Sequence, residues 1–333
     1  MSKLPVLDVS GFMANPEGGA GRAFAHRLRE MCHTTGFCYV VGHGIEARDN
    51  AQMMQMSRQF FALALAERKQ IEILNSPHFR GYTILGDERT GGNRDWRDQI
   101  DFGMEREAHG FEPGDPDWLK LRGPNQWPEA LPEMRPVVLN WMRAMQGLGQ
   151  AIMGGLAVGL GQSREYFDAN FVPEGDARLK LIRYHAQAGV SEGLGQGVGW
   201  HHDTGLLSFI LQDEIGGLQV DIDGQIIDVT PMEGAFVMNL GEMLQVATNG
   251  YFRATQHRVV SPPRGLTRHS IAFFFNPTLE TKFAPVPLPP ELAAQARGTQ
   301  NADPNDPVFS VFGQNVLKTR LRAHPDVAER HYK

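Results

Sequence analysis

Between Arg178 and Asn276 the chain breaks into short β-branched and aromatic runs, and this segment limits the possible folds more than any other. The runs are Leu179–Tyr184, Leu206–Gln212, Leu218–Val220, Ile226–Val229, Ala235–Leu240, Gln256–Val260 and His269–Asn276. Turn formers separate them: Gly216-Gly217, Asp223-Gly224, Asn249-Gly250 and Pro262-Pro263. Many short strands at close spacing fit a sandwich or a barrel, because each strand is too short to bury its apolar face alone.

Upstream the period changes from two to about 3.6. Phe24, Leu28 and Met31 share one helix face, and Gly36 ends that helix before a strand over Phe37–Val41. A second helix runs through Met53, Met56, Phe60 and Phe61, and a long third one carries Val138, Met142, Met145, Leu148, Ile152 and Leu156. These stripes read as core. The stretch Arg80–Asp117 is rich in Gly, Arg and Asp with weak periodicity; its first part, Arg80–Asp101, has interleaved charges and reads as a solvated loop, with a substrate-side role for Arg80, Tyr82, Arg94 and Arg97 as the alternative. The tail after Lys282 ends in a short helix around Pro325–His331. The expected partition is residues 1–120, 121–177, 178–282 and 283–333 of one co-folded α+β unit, mainly β in its core.

At 333 residues, 41% hydrophobic and 21% charged, the chain is long enough for a large core and is neither disordered nor fibrous. A net charge of −6 argues against nucleic acid, which needs clustered Lys and Arg. The longest apolar stretch, Val137 to Leu160, is interrupted by Asn140, Arg143, Gln146 and Gln150, so it reads as a core helix and no membrane contact is expected. No secretory h-region stands at the N-terminus, and the two cysteines, Cys32 and Cys38, are expected to fill core; a cytoplasmic location fits these features. Oligomeric state is not legible.

The chemistry sits in Gly-Trp-His-His-Asp-Thr-Gly-Leu-Leu, 199–207. In an extended segment side chains alternate, so His201 and Asp203 share a face that His202 does not. An imidazole and a carboxylate on one face can occupy adjacent positions around one metal ion. His257, in a strand-like run of apolar neighbours, is the candidate third ligand. Two imidazoles and one carboxylate leave open positions suited to Fe(II), although a structural His–Asp hydrogen bond has the same signature. Eleven residues later Arg268 and Ser270 share a face and form a fork for a carboxylate, with Tyr184 as a third hydrogen-bond donor.

In this pattern the chain resembles the isopenicillin N synthase-like branch of the Fe(II)/2-oxoglutarate-dependent dioxygenase superfamily. The shared motifs include Leu4-Pro5-Val6-Leu7-Asp8, the run from Gly36 to Ile45, Arg80-Gly81-Tyr82, the run from Gly123 to Pro128, and His201-x-Asp203-x-Gly205. They continue with the runs from Gly217 to Val220 and Asn239 to Leu244, then Thr248 to Gly250, His257-Arg258-Val259 and Arg268-x-Ser270. The resemblance implies a distorted double-stranded β-helix, or jelly roll, with packed N-terminal helices. It implies Fe(II) on His201, Asp203 and His257, and O2 with 2-oxoglutarate as co-substrates, the latter held by Arg268, Ser270 and Tyr184. Ile210, Leu218 and Phe274 would form apolar walls near the metal, and His43 would be structural. The expected activity is oxidation of a small molecule by hydroxylation, desaturation or ring closure. An oxidase without 2-oxoglutarate, in which Arg268 and Ser270 hold a substrate carboxylate, is the alternative within the family. A zinc hydrolase and a non-catalytic binding module stand outside it.

Overall fold

The computed structural model describes residues 4–189, 195–298 and 307–332. Its strands are β1 (Val6–Asp8), β2 (Phe37–Val41), β3 (Gly81–Thr83), β4 (Arg89–Thr90), β5 (Asn93–Arg94), β6 (Arg97–Gly103) and β7 (Arg178–His185). They continue with β8 (Gln196–His201), β9 (Leu207–Gln212), β10 (Leu218–Ile222), β11 (Gln225–Asp228), β12 (Phe236–Leu240), β13 (His257–Val260) and β14 (Thr267–Phe275). One eight-stranded sheet has the order β1-β2-β12-β9-β14-β7-β6-β3, a four-stranded sheet the order β11-β10-β13-β8, and β4 pairs with β5 as a hairpin. The fold is a double-stranded β-helix. Each strand-like run of the sequence is a strand, with ends within about two residues of the expected ones.

The two sheets enclose one core and the helices cover another. Ile182, Tyr184, Ala272 and Val237 of the large sheet meet Val198, Leu218, Val220 and Val259 of the small one. On the opposite face of the large sheet, Leu179, Leu181, Ile271, Phe273 and Phe209 pack with the helical layer. That layer consists of α1 (Ser10–Ala14), α2 (Gly19–Thr34), α3 (Ala47–Ala62), α4 (Leu65–Gln70) and the long α5 (Met134–Gly159). The α5 stripe expected from periodicity is wholly buried. Gly149 is the point of closest approach: a Cβ there would lie 2.4 Å from the Phe275 ring, so only glycine lets α5 settle on β14. Gly36 ends α2 at φ +64, where a Cβ would strike the Arg253 carbonyl at 2.3 Å. Cys32 and Cys38 are buried and unpaired, as core fillers should be.

The remaining helices are α6 (Glu242–Ala247), α7 (Pro290–Ala293), α8 (Phe312–Ala323) and α9 (Pro325–His331). Among the described residues, no helix is long and apolar enough to cross a membrane.

One expectation fails. Outside the exposed β4–β5 hairpin, which carries Arg94, Arg80–Asp101 is not a solvated loop: Arg80, Thr83, Glu88, Asp95, Arg97, Asp98, Gln99 and Asp101 are all buried, and β6 has no exposed residue. The charges are inside because each carboxylate meets a cation. Asp98 accepts from Arg68 at 2.8 Å, Arg183 at 2.7 Å and the Tyr82 hydroxyl at 2.9 Å. Asp101 accepts from Arg320 of α8 at 2.8 Å, and Glu88 from Lys180 at 2.6 Å and Arg97 at 2.7 Å. A buried charge is tolerated when it is paired and hydrogen-bonded.

Candidate metal centre and anion pocket

The register of the small sheet brings the first two residues together. His257 on β13 pairs directly with His201 at the end of β8, and their ring centroids are 4.2 Å apart. Asp203 lies just beyond the strand. β8 ends at His201, and Asp203 lies two residues on, in the connection to β9. That connection is tied to the start of α6: the Glu242 N–H donates to the Asp203 carbonyl at 2.8 Å, and the Gly241 N–H to the Leu206 carbonyl at 2.9 Å.

The outcome is the same convergence. Asp203 Oδ1 lies 3.7 Å from His201 Nε2 and 3.8 Å from His257 Nε2. These three residues form the one cluster of potential metal ligands among the described residues, with ligand atoms all within 4.8 Å of one another. Bonds of roughly 2.1 Å to one ion require ligand atoms about 3 Å apart or slightly more, so a small torsional closure suffices.

The surroundings fix which atoms face inward. His201 Nδ1 lies 2.8 Å from the Gly199 carbonyl and His257 Nδ1 3.2 Å from the Thr255 carbonyl. A carbonyl only accepts, so each Nδ1 carries the proton and each Nε2 presents its lone pair. Asn239 donates to Asp203 Oδ2 at 2.7 Å and the Ser208 hydroxyl donates at 2.5 Å, which leaves Oδ1 for the centre. Burial, followed by the neighbouring His201, lowers the His257 pKa to about 4. Burial lowers His201 as well. Burial works against the Asp203 charge, but His257 and His201 hold its carboxyl below the usual range. At neutral pH the donor set is therefore two neutral imidazoles and a carboxylate, the protonation state a divalent ion needs. Neutral nitrogen and anionic oxygen donors on one side of an ion fit Fe(II) with open positions opposite.

Arg268 and Ser270 point into the same interior from β14. Arg268 is 1% exposed; its Nε donates to the Ile215 carbonyl at 3.1 Å and its Nη2 to Gln212 Oε1 at 2.9 Å. Its Nη1 is buried with no partner. A held guanidinium with one buried N–H unsatisfied is a socket for an acceptor, and a carboxylate fits best. Ser270 is buried two residues on, on the same face. Tyr184 sits opposite Arg268 in the register, with its ring 4.9 Å from the guanidinium carbon. Its hydroxyl neighbours Arg97, where burial disfavours the charge but Glu88, Asp95 and that hydroxyl raise the pKa above the ordinary arginine value.

Leu218 is buried between the sheets, and Ile210 and Phe274 pack on that core partly exposed. Phe274 pairs with Ser208, the residue that donates to Asp203. His43 is structural, with Nε2 3.2 Å from the Gly234 carbonyl and its ring on Phe236. Sequence reasoning gave no role to Asn239, Ser208 or Gln212. The one available signal was Asn239 at the head of Asn-Leu-Gly-Glu, a motif noted without a task.

Comparison with known proteins agrees with this geometry. Residues 4–130 match the model for the N-terminal region of the non-haem dioxygenases in morphine synthesis, and residues 177–277 match that for the 2OG-Fe(II) oxygenase superfamily. The chain is 33% identical to the 2-oxoglutarate-dependent dioxygenase frbJ of Dothideomycetidae sp. (strain 11243), covering 98% of this chain and 91% of that protein. It is 30% identical to a homoarginine-6-hydroxylase of Arabidopsis thaliana, again over 98% and 91%. Among solved structures, a full-length Neurospora crassa protein in complex with alpha-KG and 5-formyluracil aligns with a TM-score of 0.73 at 28% identity, over 87% of this chain and 90% of that one.

Proposed function

Because the chain belongs to the 2-oxoglutarate–Fe(II) oxygenase superfamily, we propose that His201, Asp203 and His257 hold its iron while it oxidises a small molecule. In the same reading, Arg268 and Ser270 bind the distal carboxylate of 2-oxoglutarate, with Tyr184 closing that side. The protein is an oxidoreductase that uses Fe(II), 2-oxoglutarate and O2. Relatives named for homoarginine hydroxylation, or solved with alpha-KG and thymine, support a small-molecule substrate. The 2-oxoglutarate-dependent names of the relatives also favour this reading over an oxidase that uses O2 alone, and over zinc hydrolysis.

Bound iron with 2-oxoglutarate and O2 supplies the oxidising power to break an unactivated C–H bond. The chain's own residues orient and shield. The backbone carbonyls at Gly199 and Thr255 keep both imidazoles turned inward. Asn239 and Ser208 hold one carboxylate oxygen of Asp203 and free the other. Arg268 neutralises an incoming carboxylate on one side, while Ile210, Leu218 and Phe274 keep water from the other.

The observation that carries this reading is the convergence of Nε2, Oδ1 and Nε2 beside a buried guanidinium with a free N–H. The test is to incubate iron-loaded protein with O2, with and without 2-oxoglutarate, and measure succinate and O2 uptake. Uptake that requires 2-oxoglutarate and yields equal succinate, lost with Asp203→Ala, is the expected result. Substrate oxidation that proceeds without 2-oxoglutarate would return the assignment to the oxidase branch.

A further inference from the structure

On the inner face of β7, three positions follow Tyr184 toward the start of the strand: Ile182, Lys180 and Arg178. Lys180 is paired with Glu88, and its neighbour Asp101 is paired with Arg320. Arg178 differs. It is 8% exposed, its Nε is buried without a partner, and among the described residues its guanidinium makes no hydrogen bond or ion pair.

The surrounding groups are already committed. Asp176 is bonded to Arg106 at 3.0 Å and to the Leu279 N–H at 3.1 Å. Arg80 lies alongside, its guanidinium filling the space a Cβ on Gly103 would take, and donates to the carbonyls of His78 and Leu121. Gly103 is the register partner of Arg178, so two guanidiniums lie close together with no carboxylate bonded to either. Burial, then the nearby charges of Arg320 and Arg80, work against charge on Arg178; Asp176 and Asp101 favour it but are outweighed. A buried cation with no anion bonded to it is strongly unfavourable. Folding alone gives no reason to place one here; a ligand that brings the missing anion does.

The position identifies that ligand. Arg178 pairs with Phe274, and Phe274 with Ser208, the residue bonded to Asp203. Two strand spacings, on the order of 10 Å, separate Arg178 from Ser208 on one face of the sheet. That interval suits a small molecule lying between the two, with Phe274 beneath it. The Arg268 end of β14 is the other anion socket, so Arg178 is not needed for 2-oxoglutarate.

We propose that Arg178 is the specificity-determining anchor for a carboxylate on the substrate, so that the enzyme acts on small organic acids. This rests on the oxygenase reading of the same site.

The test uses holoenzyme loaded anaerobically with Fe(II) and saturating 2-oxoglutarate. Phenylacetate and phenylacetamide, hexanoate and hexanamide, and benzoate and benzamide are titrated by calorimetry into wild type, Arg178→Lys and Arg178→Met. In wild type an acid should bind at least about tenfold tighter than its amide, the scale of one charge-assisted contact. The preference should shrink in Arg178→Lys and vanish in Arg178→Met, with 2-oxoglutarate affinity unchanged in all three. Ligand-free Arg178→Met should melt about 2 °C higher than wild type, since an uncompensated buried charge has been removed. Equal affinity for acid and amide in every wild-type pair overturns the proposal, as does a preference that survives in Arg178→Met. A lower melting temperature in that variant, the mark of a lost structural ion pair, also overturns it. Failure of wild type to bind 2-oxoglutarate is a separate result, and it would sink the underlying oxygenase reading instead.

Discussion

β14 and β6 lie on either side of β7 in the same sheet, and both carry buried charges, yet Arg268 of β14 and the two acids of β6 are used in opposite ways. On β14 the outward face is apolar from Ile271 onward, and the inward face offers Arg268 and Ser270 with hydrogen-bonding capacity left over. β6 has acids on both faces, Asp98 outward and Asp101 inward, and both are consumed in pairs. Buried polar groups with spare capacity mark a place for a ligand; groups that are fully paired mark architecture. The distinction can be broken by experiment, because the two kinds of residue should fail differently when removed.

The largest effect is expected at Asp98. Its carboxylate takes hydrogen bonds from Arg68, Arg183, Tyr82 and His185. Burial works against its charge, while the bonds from His185 and Arg183 hold its pKa far below the usual carboxylate range. Asp98→Ala leaves the buried Arg68 and the partly buried Arg183 without an anion, a loss of about 3–5 kcal/mol. Urea unfolding should give a lower midpoint with an unchanged slope. A variant as stable as wild type would mean that β6 is no more architectural than β14. Arg268→Met should do the reverse. It should fold normally but raise the KM for 2-oxoglutarate by about 10–100-fold, the range for losing charge-assisted hydrogen bonds. Steady-state succinate formation against 2-oxoglutarate concentration reads this directly.

The same contrast explains what the sequence made legible. Strand-like runs after Arg178 and the α5 stripe could be read because their burial is apolar and periodic, so local pattern carries the information. The triad was legible for a chemical reason: few side chains bind metal, and His201, Asp203 and His257 fall at strand-compatible positions. The alternation argument placed His201 and Asp203 on one face, and their ligand atoms do converge with that of His257, although the strand ends at His201 and Asp203 is held by its carbonyl to the start of α6. β6 was illegible. Its two acids are buried because cations come to them from far away, Arg320 being 219 residues from Asp101, and no local window contains both. Arg178 was missed for the complementary reason, since a lone arginine at the start of a strand looks like an ordinary surface residue until its surroundings are known.

A third prediction probes the residues that orient the centre without joining it. Asn239 donates to the Asp203 oxygen that faces away from the imidazoles. Asn239→Ala should keep the fold and weaken Fe(II) binding by about tenfold, the lower end of what such supporting hydrogen bonds contribute. Anaerobic titration followed by iron analysis checks this, and unaltered affinity would assign the whole orienting role to Ser208.

The smallest effect concerns the outer face of β14. His269 sits there beside the Phe61 ring, and burial, then Arg58 and Arg183, lower its pKa to about 4. An unfolded histidine titrates near 6.5. Below that value the unfolded chain binds a proton that the folded chain refuses, so stability falls with pH between about 6.5 and 4. Over the first pH unit of that window the loss should be about 1 kcal/mol from this residue. His269→Gln, which cannot take the proton, should show a correspondingly flatter loss of melting temperature between pH 7 and pH 5. If the two proteins lose stability in parallel, His269 is solvated enough to titrate normally. The outer face of β14 would then be less sealed by α3 than the packing of Phe61 implies.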